Sequence, residues 1–224
     1  MYNIIYFLLG ICYVTLFIWG VKLYKGERKK NETIFLLFVI AGLAYDNFVL
    51  MSGMLIGGGP FLKSLNMIRF WIHMLFTPTL ILFIWRISHQ LKLISINEKI
   101  VKIGAYFLTV GIIIYEYITK VMALQLQLKH KHGVIFYEPV NQDNNILLVI
   151  VVTIVVGLVA VLLLKKFQVW SLLIGVLIVM IGGLLTIWMK KFPIMNLCEL
   201  FFIGSLMKTK MFQMGHSQNV TENR

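Results

Sequence analysis

Of the 224 residues, 59% are hydrophobic and only 13% are charged, and the mean hydropathy is +0.86. That balance excludes a soluble domain and points to a polytopic membrane protein. The formal charge of +12 does not indicate nucleic acid, because the lysines and arginines collect between the apolar runs and not along one soluble face.

Apolar runs of about 20 residues, enough to cross about 30 Å of hydrocarbon, predict seven spans. They cover residues 2–22, 33–57, 65–87, 100–121, 145–164, 168–189 and 192–210. The expected fold class is all-α, a polytopic bundle of seven transmembrane helices over residues 1–212. A short extramembrane hairpin is expected between helices 4 and 5, and a short polar tail over residues 213–224. The first run has no basic n-region and no small-x-small cleavage site, so it reads as a retained helix and not a signal peptide. Cys12 lies inside it and Cys198 inside the last run, as packing residues and not a disulfide framework.

The second run contains AGLAYDNFVLMSG, which sets Asp46 and Asn47 in the middle of a helix. A carboxylate at such a depth costs about 2.5 to 3.5 kcal/mol on insertion scales, so other groups must offset it. Asp46, Leu50, Gly53 and Gly57 share one stripe, and the Gly53/Gly57 pair predicts close approach of another helix. The following IGGGP lacks the lysine-serine ending of a phosphate-binding loop and reads as a tight connection.

In the third run Asn66, Arg69 and His73 form a polar strip with Thr77 at its edge, and Pro78 should kink the helix, freeing a carbonyl near Met74. Thr109, Ile112 and Glu116 align on the fourth. The long connection that follows alternates Leu124, Leu126 and Leu128 with glutamines before Lys-His-Lys-His-Gly, which predicts a small β-hairpin. His130 and His132 would share one face of it, with Glu138 nearby, as candidate metal ligands, although a solvated surface is the simpler reading and no metal or cofactor is expected. The fifth and sixth runs read as lipid-facing scaffold, with Thr153/Gly157 and Ser171/Gly175 as packing pairs within the chain; the sequence leaves the oligomeric state open. In the seventh, Pro193 suits the first turn, and Asn196 and Glu199 are i, i+3 neighbours.

An N-terminus placed outside divides the basic residues fourteen inside to seven outside, which the positive-inside rule favours. At about 1.5 Å of rise per residue, Asp46 lies roughly 15 Å from the outer end of its helix, His73 roughly 12 Å, Glu199 roughly 10 Å, and Arg69 and Glu116 roughly 6 Å. All five fall in one half of the membrane, and one arginine cannot neutralise three carboxylates. A polar chamber in the outer half of the bilayer follows, with Asp46, His73 and Glu199 as candidate catalytic residues. Asn47, Asn66, Arg69, Glu116 and Asn196 are candidates for binding the substrate. The reaction class that fits is acid/base chemistry on a lipid or isoprenoid-like molecule drawn from the membrane. Small seven-helix membrane terpene cyclases resemble this chain in length and in their use of buried carboxylates, with no motif matching residue by residue. A small-solute or proton-coupled transporter and a non-catalytic membrane sensor, immunity or accessory protein are the alternatives, so whether the chain is an enzyme stays open.

Overall fold

The computed structural model describes residues 2–26, 33–94, 97–122, 124–131, 133–140, 147–188 and 193–222. The elements in chain order are α1 (Tyr2–Gly26), α2 (Thr33–Ile56), α3 (Pro60–Phe76), α4 (Leu80–Gln90), α5 (Glu98–Glu116), β1 (Leu126–Lys131), β2 (Val134–Pro139), α6 (Leu147–Phe167), α7 (Ser171–Trp188) and α8 (Ile194–Glu222). Five rods are long and apolar enough to cross a bilayer: α1, α2, the kinked α3–α4 pair, α5 with its terminal turn, and α6. Helix α7 is apolar but shorter, and α8 carries Glu199, Lys208 and Lys210 along its length.

The third predicted span is two helices joined by a 3₁₀ turn at Thr77–Thr79. Pro78 has no N–H to donate to Met74, and the chain tightens there instead of running on, with the Thr79 hydroxyl donating to the Phe76 carbonyl at 2.6 Å. The break gives the two halves different environments. Helix α3 is largely peripheral, whereas α4 runs through the centre and touches α2, α5, α6 and α8. Leu80, Ile81, Leu82, Phe83, Ile84, Trp85, Ile87 and Ser88 are all buried on it. These side chains join Tyr13, Leu36, Ile40, Leu163, Leu172, Ile203 and Leu206 in one continuous apolar core.

Glycine sets the close approaches. A Cβ on Gly42 would collide with the Ile72 methyl group, which is how α3 seats against α2. Gly57 ends α2 with φ +75, a left-handed conformation suited to glycine, and its N–H donates to the Gly53 carbonyl at 2.9 Å. The predicted Gly53/Gly57 helix-approach stripe is therefore corrected. Gly57 is a helix terminator, and Gly53 admits the backbone of β2, because a Cβ there would fall on the Ile135 carbonyl. Gly175 does receive a helix of the same chain, since a Cβ on it would overlap the Ser205 hydroxyl of α8.

Strands β1 and β2 pair antiparallel, Leu126 opposite Pro139 through Lys131 opposite Val134. They lie against α2 and α3, at the end of the bundle where α2 finishes. The opposite end gathers Lys22, Lys25, Lys92, Lys99, Lys165, Lys166 and Lys208, and there Lys166 Nζ donates to the Lys92 carbonyl at 2.7 Å at the end of α4. The last helix does not stop near residue 210 but continues to Glu222. Residues 213–222, expected as a polar tail, extend α8, and Gln213 is buried.

Candidate functional site

Asp46 is 4% exposed and Asn47 fully buried, both on the inward face of α2. Asn47 Nδ2 donates to the Leu43 carbonyl one turn back at 2.8 Å, so its amide is tied to its own helix, while its buried Oδ1 has no partner among the described residues.

Arg69 reaches Asp46 from α3. Its Nε lies 2.5 Å from Asp46 Oδ1, and its Nη1 donates to Asn66 Oδ1 at 2.7 Å. Asn66 is fully buried and spends its own Nδ2 on the Leu62 carbonyl at 2.8 Å, which fixes its carbonyl oxygen toward the guanidinium. One turn further along α3, His73 Nε2 stands 3.5 Å from the same Asp46 Oδ1. A single carboxylate oxygen thus faces two nitrogen groups spaced i, i+4 on one helix. The side chains differ in access: Arg69 is 14% exposed and His73 38%, so the imidazole is the open member of the group.

Helix α8 contributes the fourth group. Glu199 is half-buried and within electrostatic reach of His73 and Asp46, with no direct ion pair to either among the described residues. Asn196, predicted as a ligand-binding side chain, uses its backbone: its carbonyl accepts from the Tyr13 hydroxyl at 3.4 Å. Two tyrosines of α1 belong to the site and were not read from the sequence. Tyr13 is fully buried with its hydroxyl on the Asn196 carbonyl, and Tyr6 lies two turns earlier on the same helix. Their i, i+7 spacing on an apolar helix was the available signal, since a buried phenol must find a partner.

Glu116 is placed elsewhere. It is buried on α5 and paired with Lys120, Oε2 to Nζ 2.7 Å, its Oε1 without a partner among the described residues. Among the described residues no hydrogen bond or ion pair joins it to Asp46, Arg69 or His73. The backbone just beyond it widens into a π turn over Tyr117–Val121, and Trp71 of α3 packs on Tyr117 with ring centroids 5.9 Å apart.

The hairpin candidates separate as well. The register sets Gln127 opposite Glu138 and His130 opposite Ile135, so side-chain alternation places His130 and Glu138 on opposite faces of the ribbon. Glu138 Oε1 instead meets Lys129 Nζ at 3.4 Å. His132 lies outside the described residues, and among those described no group of three histidine, cysteine or acidic side chains is positioned to hold a metal ion.

A second buried polar group occurs at the lysine-rich end. Lys210, the last residue of the predicted seventh span, is 2% exposed on α8 and donates to Gln213 Oε1 at 2.7 Å. Gln213 Nε2 donates in turn to the Ser217 hydroxyl at 3.0 Å. Phe202, Ile203, Leu206 and Met207, all buried, occupy the stretch of α8 between Glu199 and this chain.

Two cavities flank the bundle. One of about 310 Å³ is lined by Met67, Trp71, Met122 and Gln125; residues 67 and 71 sit about 200° around α3 from Arg69 and His73, so it opens on the opposite face. The other, about 580 Å³, lies between α1, α7 and α8. No family model, curated protein or solved structure matches this chain.

Proposed function

We propose that the chain is a seven-span membrane protein whose Asp46, Arg69 and His73, with Glu199 opposite, perform acid/base chemistry on a lipid or isoprenoid-like molecule reaching them from the bilayer. The observation that carries this reading is the shared Asp46 Oδ1, held by Arg69 and approached by the half-open His73. Intramembrane ionisable groups mark functional sites by default, and an arginine alone would suffice to neutralise Asp46. The additional imidazole has no structural necessity.

The roles follow from position. Arg69 keeps Asp46 charged and Asn66 holds Arg69 in place. Asp46 faces Nε2 of His73, which fixes the imidazole tautomer and leaves Nδ1 as the proton acceptor. Glu199, with no cation bound to it directly, serves as the proton donor across the chamber. Of the three candidate catalytic residues, Asp46 takes the orienting role. Tyr13, through its hydrogen bond to the Asn196 carbonyl, ties α1 to the turn of α8 that carries Glu199.

The gathering of lysines at the end opposite the hairpin supports an outside N-terminus, a cytoplasmic C-terminus and a hairpin outside the membrane. In that frame the site occupies the outer half of the bilayer. Conversion of a lipid by the wild-type protein, lost in folded His73→Ala and Glu199→Gln variants, tests the reading; unchanged conversion in both would sink it. Proton-coupled transport is the second reading, favoured by the Lys210, Gln213, Ser217 chain at the other end. The apolar layer at Phe202, Ile203, Leu206 and Met207 would then be a gate, and flux in proteoliposomes would separate the two.

A further inference from the structure

The groove between α1, α7 and α8 is apolar along its length and charged at one end. Cys12, Leu16, Ile178, Phe201 and Gly204 line it, and Lys208 ends it. From Leu200 to Lys208 it runs about 12 Å, at about 1.5 Å per helical residue. Two of its three hydroxyls are already bonded within their own helices, Thr15 to the Ile11 carbonyl at 3.0 Å and Ser205 to the Phe202 carbonyl at 2.7 Å, and the third, Ser171, begins α7 beside Trp170. Away from that mouth the walls ask for nothing polar. Lys208 is exposed, and among the described residues it has no carboxylate partner.

The groove also has a level. Helices α1 and α8 run side by side in the same direction, with Gly20 facing Met207 and Gly26 facing Met214. Lys208 thus stands beside the end of α1 that carries Lys22, one turn from Trp19, which lines the same groove. Trp170, 58% exposed, precedes Ser171 at the same mouth. Tryptophan and lysine together mark the headgroup level of a bilayer. Gly204 has open space where a Cβ would be, which leaves the groove floor free for a guest chain.

We infer that this groove holds one acyl chain of an anionic phospholipid from the lysine-rich leaflet, with the phosphate seated on Lys208. This rests on the membrane-spanning reading of the bundle and is independent of the chemistry assigned to Asp46. An acyl chain gains little by leaving other acyl chains for an apolar groove, so selectivity comes from the headgroup charge.

The test uses the full chain in detergent micelles, titrated with phosphatidylglycerol or phosphatidylcholine and read by native mass spectrometry. One lysine at a headgroup predicts about fivefold tighter binding of the anionic lipid. Lys208→Gln, an exposed change that leaves the core intact, should remove that preference without weakening phosphatidylcholine binding. Gly204→Leu should weaken both lipids by filling the groove. Gly104→Ala, on α5 and outside both the groove and the Asp46 site, should bind both as wild type does, and because the readout is binding alone this result stays separate from any loss of turnover. Equal affinity of the wild type for the two lipids, or a preference that survives Lys208→Gln, overturns the assignment.

Discussion

Asp46 of α2 and Arg69 of α3 are bound to each other through Oδ1 and Nε at 2.5 Å, in a setting where the carboxylate is almost wholly buried. Each makes the other's position tolerable, so removing one strands the other. Breaking a buried ion pair costs about 3 to 5 kcal/mol, while replacing both members by neutral groups costs far less. Arg69→Gln should therefore destabilise the protein by that amount, and Asp46→Asn combined with Arg69→Gln should recover most of it. Unfolding in mixed micelles, followed by circular dichroism for Arg69→Gln, Asp46→Asn and the double variant, measures the coupling; additive losses would mean the pair is not coupled.

Glu116 and Lys120 form a smaller version of the same arrangement, with the carboxylate buried and the amine partly open. Lys120→Met should cost about 1 to 3 kcal/mol by leaving a buried charge unsatisfied. Glu116→Gln should cost less than the lysine change, because the amide still accepts from Lys120. The same unfolding assay ranks them, and a Glu116→Gln loss exceeding that of Lys120→Met would contradict the pairing.

Gly53 supports the β-ribbon directly. Since a Cβ there would fall on the Ile135 carbonyl, Gly53→Ala should push β2 away at a cost of about 1 to 3 kcal/mol. Trypsin should then cut faster at Lys129 and Lys131. Gly104, also helical but facing open space, is the control: Gly104→Ala should stabilise α5 by about 0.5 to 1 kcal/mol and leave the ribbon unaffected.

The pairing of Asp46 with Arg69 and His73 was legible because depth and helix face are both simple functions of residue number on a straight helix. Asn66 was legible for the same reason. Glu116 shared that depth but stands on α5, and depth alone does not say which helices are neighbours. Gly53 was read as a helix contact, because spacing shows that a close approach is permitted without showing what approaches. The tyrosines of α1 offered only their i, i+7 spacing as a signal, in an apolar run where an aromatic reads as core. Lys210 closed the predicted seventh span, and its burial depends on α8 continuing past it to Glu222. Pro78 announced a break, yet the consequence, that α4 becomes the central rod, depends on packing that no local signal encodes.

The site's central claim is that His73, seated against the Asp46 and Arg69 pair, is a working proton acceptor and not packing. The most direct measurement incubates the purified wild-type protein and a folded His73→Ala variant with a total membrane lipid extract and compares the two by mass spectrometry over time. A lipid species should be consumed, with a matching product, by the wild type and not by the variant. Indistinguishable lipid profiles from the two proteins would contradict it.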